Sequence, residues 1–232
     1  MGIRRNPEEL KSEIISGTVH IIAVGGMENF SFPKLTAKTG ISAPTVYEHY
    51  KNKEELLTTC FFTVDREIAY CIDKAMASYA SEVRDDDNVE LQCMIVWQAY
   101  WNYLVSNAEK TIFYRHFFDS NYFTHEVQKQ HRENFGMIRD IIDRLNNNFL
   151  NQVKCDTDML AAHMINATAA YASKMLRGYY KNDKSTEETV YHMVFQPIYA
   201  TLRIRTGEMD YPKSTKIHKK QRGDIIESKF DK

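Results

Sequence analysis

The side chains best suited to chemistry crowd into one stretch near the start of the chain. It reads SFPKLTAKTGISAPTVYEHYKNKEELL and opens at Ser31. Thr45 and Tyr47 offer hydroxyls, His49 offers a ring nitrogen, and Lys53 offers an ammonium. Neutral and cationic donors of this kind, gathered about one short helix, suit the phosphate oxygens of a nucleic-acid backbone.

Local signals show what must position them. Ser31 can cap a short helix that turns Phe32 and Leu35 inward, and Gly40-Ile41-Ser42 reads as a tight turn. Ser42 then caps a second short helix over about residues 43–50. Asn52 caps the next, with Glu55 at the capping-box position. Leu35, Ile41, Val46 and Leu56 are spaced to close one small core. Gly40 supplies a backbone conformation that other residues resist. Two short helices held at a steep angle present the N-terminus of the second outward. Its free N–H groups and dipole attract phosphate there. The expectation is a helix-turn-helix over about residues 31–50.

The rest reads as further helices. Asn6, Pro7 and Glu9 start the first, Leu10, Ile14, Ile21 and Ile22 form its inner stripe, and Gly25-Gly26 stops it. Beyond Asn52 an apolar stripe through Leu57, Phe61, Val64, Ile68, Cys71 and Ala75 continues for about six turns at 3.6 residues each. With no break along it, one rod is expected to join two domains. After a polar loop at residues 84–88, helices are expected over 89–106, 108–118, 124–150 and 157–180. A last one, capped by Ser185 with Glu188, runs to about 206, with Pro197 kinking it. The expected architecture is all-α with about nine helices. It divides into a helix-turn-helix domain at residues 1–56, a helical domain at 57–206, and a basic tail at 207–232.

The 232 residues carry a formal net charge of −1 and are 43% hydrophobic, which excludes disorder as the default. The charge is uneven. Residues 1–53 hold seven basic and five acidic side chains, residues 211–232 hold seven and three, and the middle is acidic. An anionic partner would therefore be met at the ends. Cys60, Cys71, Cys93 and Cys155 lie in apolar surroundings without C-x-x-C pairing, as core thiols in a reducing compartment do. No apolar leader precedes the first helix, so a soluble cytoplasmic protein is expected. His116, His125, His131, His163 and His192 lack ligand spacing for a metal. No nucleophile elbow, phosphate loop or carboxylate pair is present. Neither an enzyme nor a cofactor is expected.

The run GISAPTVYEHYKNKEEL from Gly40 to Leu56, with Gly26 closing the first helix, resembles the signature of the tetracycline-repressor (TetR) family. The resemblance covers about residues 8–60. It implies that Ala43, Pro44 and Thr45 face base edges in the major groove. Tyr47, His49 and Lys53 would hold phosphates, with Ser31 and Lys34 touching the backbone. The chain departs from the founding repressor at two base-reading positions, which here are Pro33 and Ala43. Neither can form a bidentate bond to a base, so more weight falls on methyl contacts and DNA shape.

The resemblance further implies a homodimer on a palindromic operator, a repressor released by a small-molecule effector, and an aromatic-lined pocket. Candidate lining residues are Trp97, Trp101, Tyr114, Phe117, Phe118, Tyr122, Met137 and Tyr171. A dimer controlled by a protein partner is the alternative. Met159, Leu160, Met164, Ile165, Ala169, Ala172, Met175, Leu176, Val190, Met193, Val194, Ile198 and Leu202 would form either the dimer face or an internal one.

Overall fold

The computed structural model describes residues 6–82, 88–148 and 155–202. Among these, ten α-helices follow one another without a strand. They are α1 (Pro7–Gly25), α2 (Phe32–Thr39), α3 (Ala43–His49), α4 (Lys53–Glu82), α5 (Val89–Ser106), α6 (Ala108–Phe118), α7 (His125–Asn134), α8 (Gly136–Asn148), α9 (Thr157–Leu176) and α10 (Lys184–Leu202). The tail, the expected loop at 84–87 and the end of the last helix lie outside the described residues.

The caps show why the head folds as it does. Asn6 accepts the Glu8 amide and Pro7 occupies the first turn of α1. Ser31 accepts the Lys34 amide, and Ser42 accepts the Thr45 amide. At α4, Asn52 accepts the Glu55 amide at 2.8 Å, while the Glu55 carboxylate accepts the Lys51 amide at 2.7 Å. That reciprocal pair fixes where α3 ends and α4 begins. Gly40 sits at φ 71°, ψ 4°, a left-handed conformation that turns α2 into α3. Leu35, Ile41, Val46 and Leu56 are buried together, as their spacing requires.

A close approach in the head was not legible beforehand. Gly17 of α1 is buried against α2, and a Cβ there would stand 2.5 Å from the Thr39 methyl. Glycine lets the two helices approach to that distance.

Three boundaries differ from the sequence reading. The helix expected over 124–150 is two helices. At Phe135 the backbone leaves helical geometry (φ −102°, ψ 29°), and Gly136 opens α8. The count is therefore ten, not nine. α9 stops at Leu176, before Tyr180, where Gly178 takes a positive φ of 82°. The cap of α10 is Asp183, whose carboxylate accepts the Thr186 amide at 2.9 Å, in place of Ser185. That bond holds the Asp183 carboxyl below its ordinary pKa.

One continuous hydrophobic cluster runs from Ile14 in α1 to Leu202 in α10. α4 threads it, burying Leu56, Leu57, Cys60, Phe61, Val64, Ile68 and Ile72. The boundary expected at residue 56 falls inside this helix, between two leucines that are both buried. α6 packs against α1, so the head rests on the body as well as hanging from α4. Of the apolar stripe on α9 and α10, Leu160, Met164, Ile165, Ala169, Ala172, Met175, Val190, Val194, Ile198 and Leu202 are buried within the monomer, Leu176 is half-buried, and Met159 and Met193 are exposed. Among the described residues no helix is long and apolar enough to cross a membrane.

Candidate nucleic-acid interface and interior cavity

α3 is short, and its first turn is open. Pro44 is exposed, and Ala43 and Thr45 are half-buried. Pro44 lacks an N–H, so it leaves no extra donor unpaired in that turn. The Thr45 hydroxyl shares a hydrogen bond of 2.8 Å with Ser42, which restrains its χ1. Tyr47 is 51% exposed, yet its ring lies 4.7 Å from Phe32. The α2 side chain therefore braces the α3 side chain and presents its hydroxyl. His49 lies half-buried at the other end, with its ring 6.5 Å from Tyr50.

The two lysines are less free than the sequence suggests. Lys34 is exposed and donates to the Asn29 side chain. Lys53 donates to the Phe30 carbonyl at 3.4 Å and stands over the rings of Phe30 and Tyr122. Such ring contacts are worth about 0.5–1 kcal/mol at exposed sites. The structure thus gathers Ala43, Pro44, Thr45, Tyr47 and His49 along α3, with Ser31, Lys34 and Lys53 flanking. Pro33 is exposed beside them and Ala43 is half-buried.

The residues expected to line a pocket are placed differently. Trp97 and Trp101 are 2% exposed and stacked at 5.5 Å, and the Trp97 indole donates to the Thr168 hydroxyl at 3.0 Å. They are core. Tyr114 and Phe117 are fully buried, with Phe61 stacked on both. Tyr122 sits by Lys53, and Met137 is exposed on α8. Tyr171 lies in a shallow groove with Tyr179 and Tyr180. Of the eight, Phe118 lines the interior cavity.

That cavity, of about 380 Å³, opens between α6, α7, α8 and α9. Phe118, Phe123, Phe135, Ala161 and Ile165 form its apolar wall, and Arg132, Arg139, Asp156 and Asp158 surround it. Asp158 accepts Arg139 at 2.6 Å and pairs with Arg132 at 3.8 Å. His131 also lines the cavity and leads to the least expected feature of the interior. Asp65 of α4 is fully buried, and its carboxylate accepts three donors: the Tyr114 hydroxyl at 2.7 Å, His131 Nδ1–H at 2.8 Å and the Asn134 amide at 2.6 Å. A carboxylate removed from water needs such partners. Burial and the Asp65 charge push the Tyr114 hydroxyl well above its ordinary pKa, so it remains a donor.

The sequence reading missed His131 as a buried group. The available signal was the spacing of Val127, His131 and Phe135, which puts one inward stripe on an otherwise polar segment. Among the described residues no cluster of three or more His, Cys, Asp or Glu could hold a metal ion.

The comparisons agree with this geometry. Residues 14–60 match the model of bacterial regulatory proteins of the tetR family. No curated protein matches the chain. A TetR family transcription regulator from Marinobacter aquaeolei VT8 is 18% identical and superimposes with a TM-score of 0.67, covering 82% of this chain and 95% of that one. The fatty acid degradation regulator FadR from Bacillus halodurans is 18% identical with a TM-score of 0.59, over 88% and 100% of the two chains. FadR from Bacillus subtilis, in complex with stearoyl-CoA, is 15% identical with a TM-score of 0.56, over 79% and 97%. The head thus matches the tetR family model over residues 14–60, and the chain shares the fold of these regulators.

Proposed function

We propose that the protein is a ligand-responsive repressor that binds a palindromic operator as a homodimer. The observation that carries this reading is the exposed first turn of α3, where Thr45 is locked by Ser42 and Tyr47 is braced by Phe32. Ala43, Pro44 and the Thr45 methyl meet base edges, which makes a face that reads thymine methyls and groove shape. Tyr47, His49, Ser31, Lys34 and Lys53 hold phosphates, Lys53 exchanging its contacts with Phe30 and Tyr122 for an anion. A two-fold dimer sets the paired α3 helices about 34–36 Å apart, one turn of duplex.

The outward faces of α9 and α10 support dimerisation. Met159 on α9 and Met193 on α10 are 73% and 48% exposed, and Ala162 is an exposed small residue on α9 that permits close approach. The cavity between α6 and α9 is the effector site. A bound stearoyl-CoA in the Bacillus subtilis neighbour supports a small-molecule effector as a class. An effector releases DNA only by as much as it prefers the released conformer.

The test is a duplex selected by the wild-type protein from a random library and titrated by fluorescence anisotropy. Thr45→Ala with Tyr47→Phe should weaken binding roughly tenfold or more, each contact being worth about 1–3 kcal/mol, with circular dichroism unchanged. Equal affinity in the variant would remove the DNA assignment from α3.

A further inference from the structure

Among the uncharged polar residues lining the cavity, Gln128 and Asn166 are exposed and His131 is buried, and the imidazole suggests what the cavity takes. His131 is nine-tenths buried, and its Nδ1 is committed to Asp65. Its Nε2, on the far side of the ring, has no hydrogen-bond partner among the described residues, and the ring lines the cavity. Around it stand Phe118, Phe123 and Phe135, with centroids 4.8–5.9 Å from the imidazole. The charges at the mouth are already matched, two guanidinium groups against the carboxylates of Asp156 and Asp158, and Asp158 holds both Arg132 and Arg139. An entering carboxylate would have to displace Asp158 and pass Asp156, and an entering ammonium would meet two guanidinium groups. The site has no spare charge of either sign.

Resting on the reading of this cavity as the effector site, we propose that its ligand is an uncharged, ring-bearing molecule with one hydroxyl, a phenol in chemical class. The hydroxyl meets His131 Nε2. A hydroxyl both donates and accepts, so it satisfies that nitrogen whether or not it carries a proton. The ring packs edge-to-face among the three phenylalanines, the arrangement aromatic quadrupoles favour. The same contact reaches α4, since His131 is bonded directly to Asp65. A ligand that shifts the imidazole thereby pulls on the helix that carries the head.

The test is calorimetry on the full chain without DNA, using 4-ethylphenol, ethylbenzene and 4-ethylbenzoate. The phenol should bind at least about tenfold tighter than either of the others, the factor set by one well-made buried hydrogen bond. His131→Phe should bring the phenol down to the level of ethylbenzene. Ala161→Leu fills the cavity without touching the His131–Asp65 contact and should abolish binding of all three. Equal affinities, a preference for the benzoate, or unaltered binding in Ala161→Leu would overturn the proposal. Phenol binding by a protein that holds no duplex would leave the cavity assignment standing and remove the repressor reading. Duplex binding without phenol binding would do the reverse.

Discussion

The Tyr114 hydroxyl donates to the Asp65 carboxylate at 2.7 Å, and both side chains are completely buried. Two helices far apart in sequence are joined there by a group that pure packing would exclude. Tyr114→Phe keeps the ring stacked on Phe61 but removes one donor from a buried charge. It should cost about 1–3 kcal/mol in urea unfolding. Combining it with Asp65→Asn should cost less than the sum of the two single changes, because both act on one network. Strict additivity would show that the three donors act independently.

Gly17 is the tightest point in the head. In Gly17→Ala the new methyl meets Thr39, which cannot simply turn away. Its hydroxyl donates to the Leu35 carbonyl at 2.9 Å and accepts the Ile41 amide at 3.1 Å. Destabilisation of about 1–3 kcal/mol is expected, and Thr39→Ala in the same chain should recover part of it. A melting temperature unmoved by Gly17→Ala would mean that α1 and α2 can part at no cost.

His116 gives the fold a pH dependence of definite sign. Burial lowers its pKa, and the Arg177 guanidinium, donating to Nε2 at 2.8 Å, lowers it further; Arg115 adds to this and Asp119 opposes it. The unfolded chain therefore takes up a proton more readily than the folded one below the ordinary histidine value of about 6.5. The stabilisation is complete above that value and is lost as pH falls through it toward the folded pKa. Unfolding free energies of wild type and His116→Asn, measured at pH 7.5 and at pH 5, should therefore converge at the lower pH. A gap independent of pH would contradict the assignment.

Thiol accessibility should sort the cysteines in pairs. Burial pushes the Cys93 thiol up to about 12 and Cys60 above the ordinary range, while Cys71 and Cys155 are half-buried. An aromatic disulfide reagent at pH 8 should modify Cys71 and Cys155 in the native protein. Cys60 and Cys93 should react only as the chain unfolds. Rapid labelling of all four would contradict the burial of α4 and α5.

The head was legible because its determinants are local. Ser31, Ser42, Asn52 and Glu55 act on amides within four residues, and Gly40 acts on its own backbone. The cavity was not, because its wall joins Phe118 and His131 to Arg139 and Ile165, which meet only after the bundle closes. Aromatic density along α5 suggested a lining, but Trp97 finds Thr168 and becomes core. The break at Phe135 was hidden because apolar residues continue in helical register through Ile138, Ile141 and Ile142. Ser185 drew attention as a cap because Glu188 follows at the right interval. In the fold Glu188 faces Lys184, and Asp183 takes the amide.

α4 runs for 30 residues, about 45 Å at 1.5 Å per residue, and from Leu56 to Ile72 its burial never lapses for more than about a turn. A helix shared in this way leaves no seam along which one half could melt while the other stayed folded. Heat should therefore meet one cooperative unit, with a single transition for head and body. Anything that binds either end then raises the melting temperature of the whole chain, and a duplex protects the far helices it never touches.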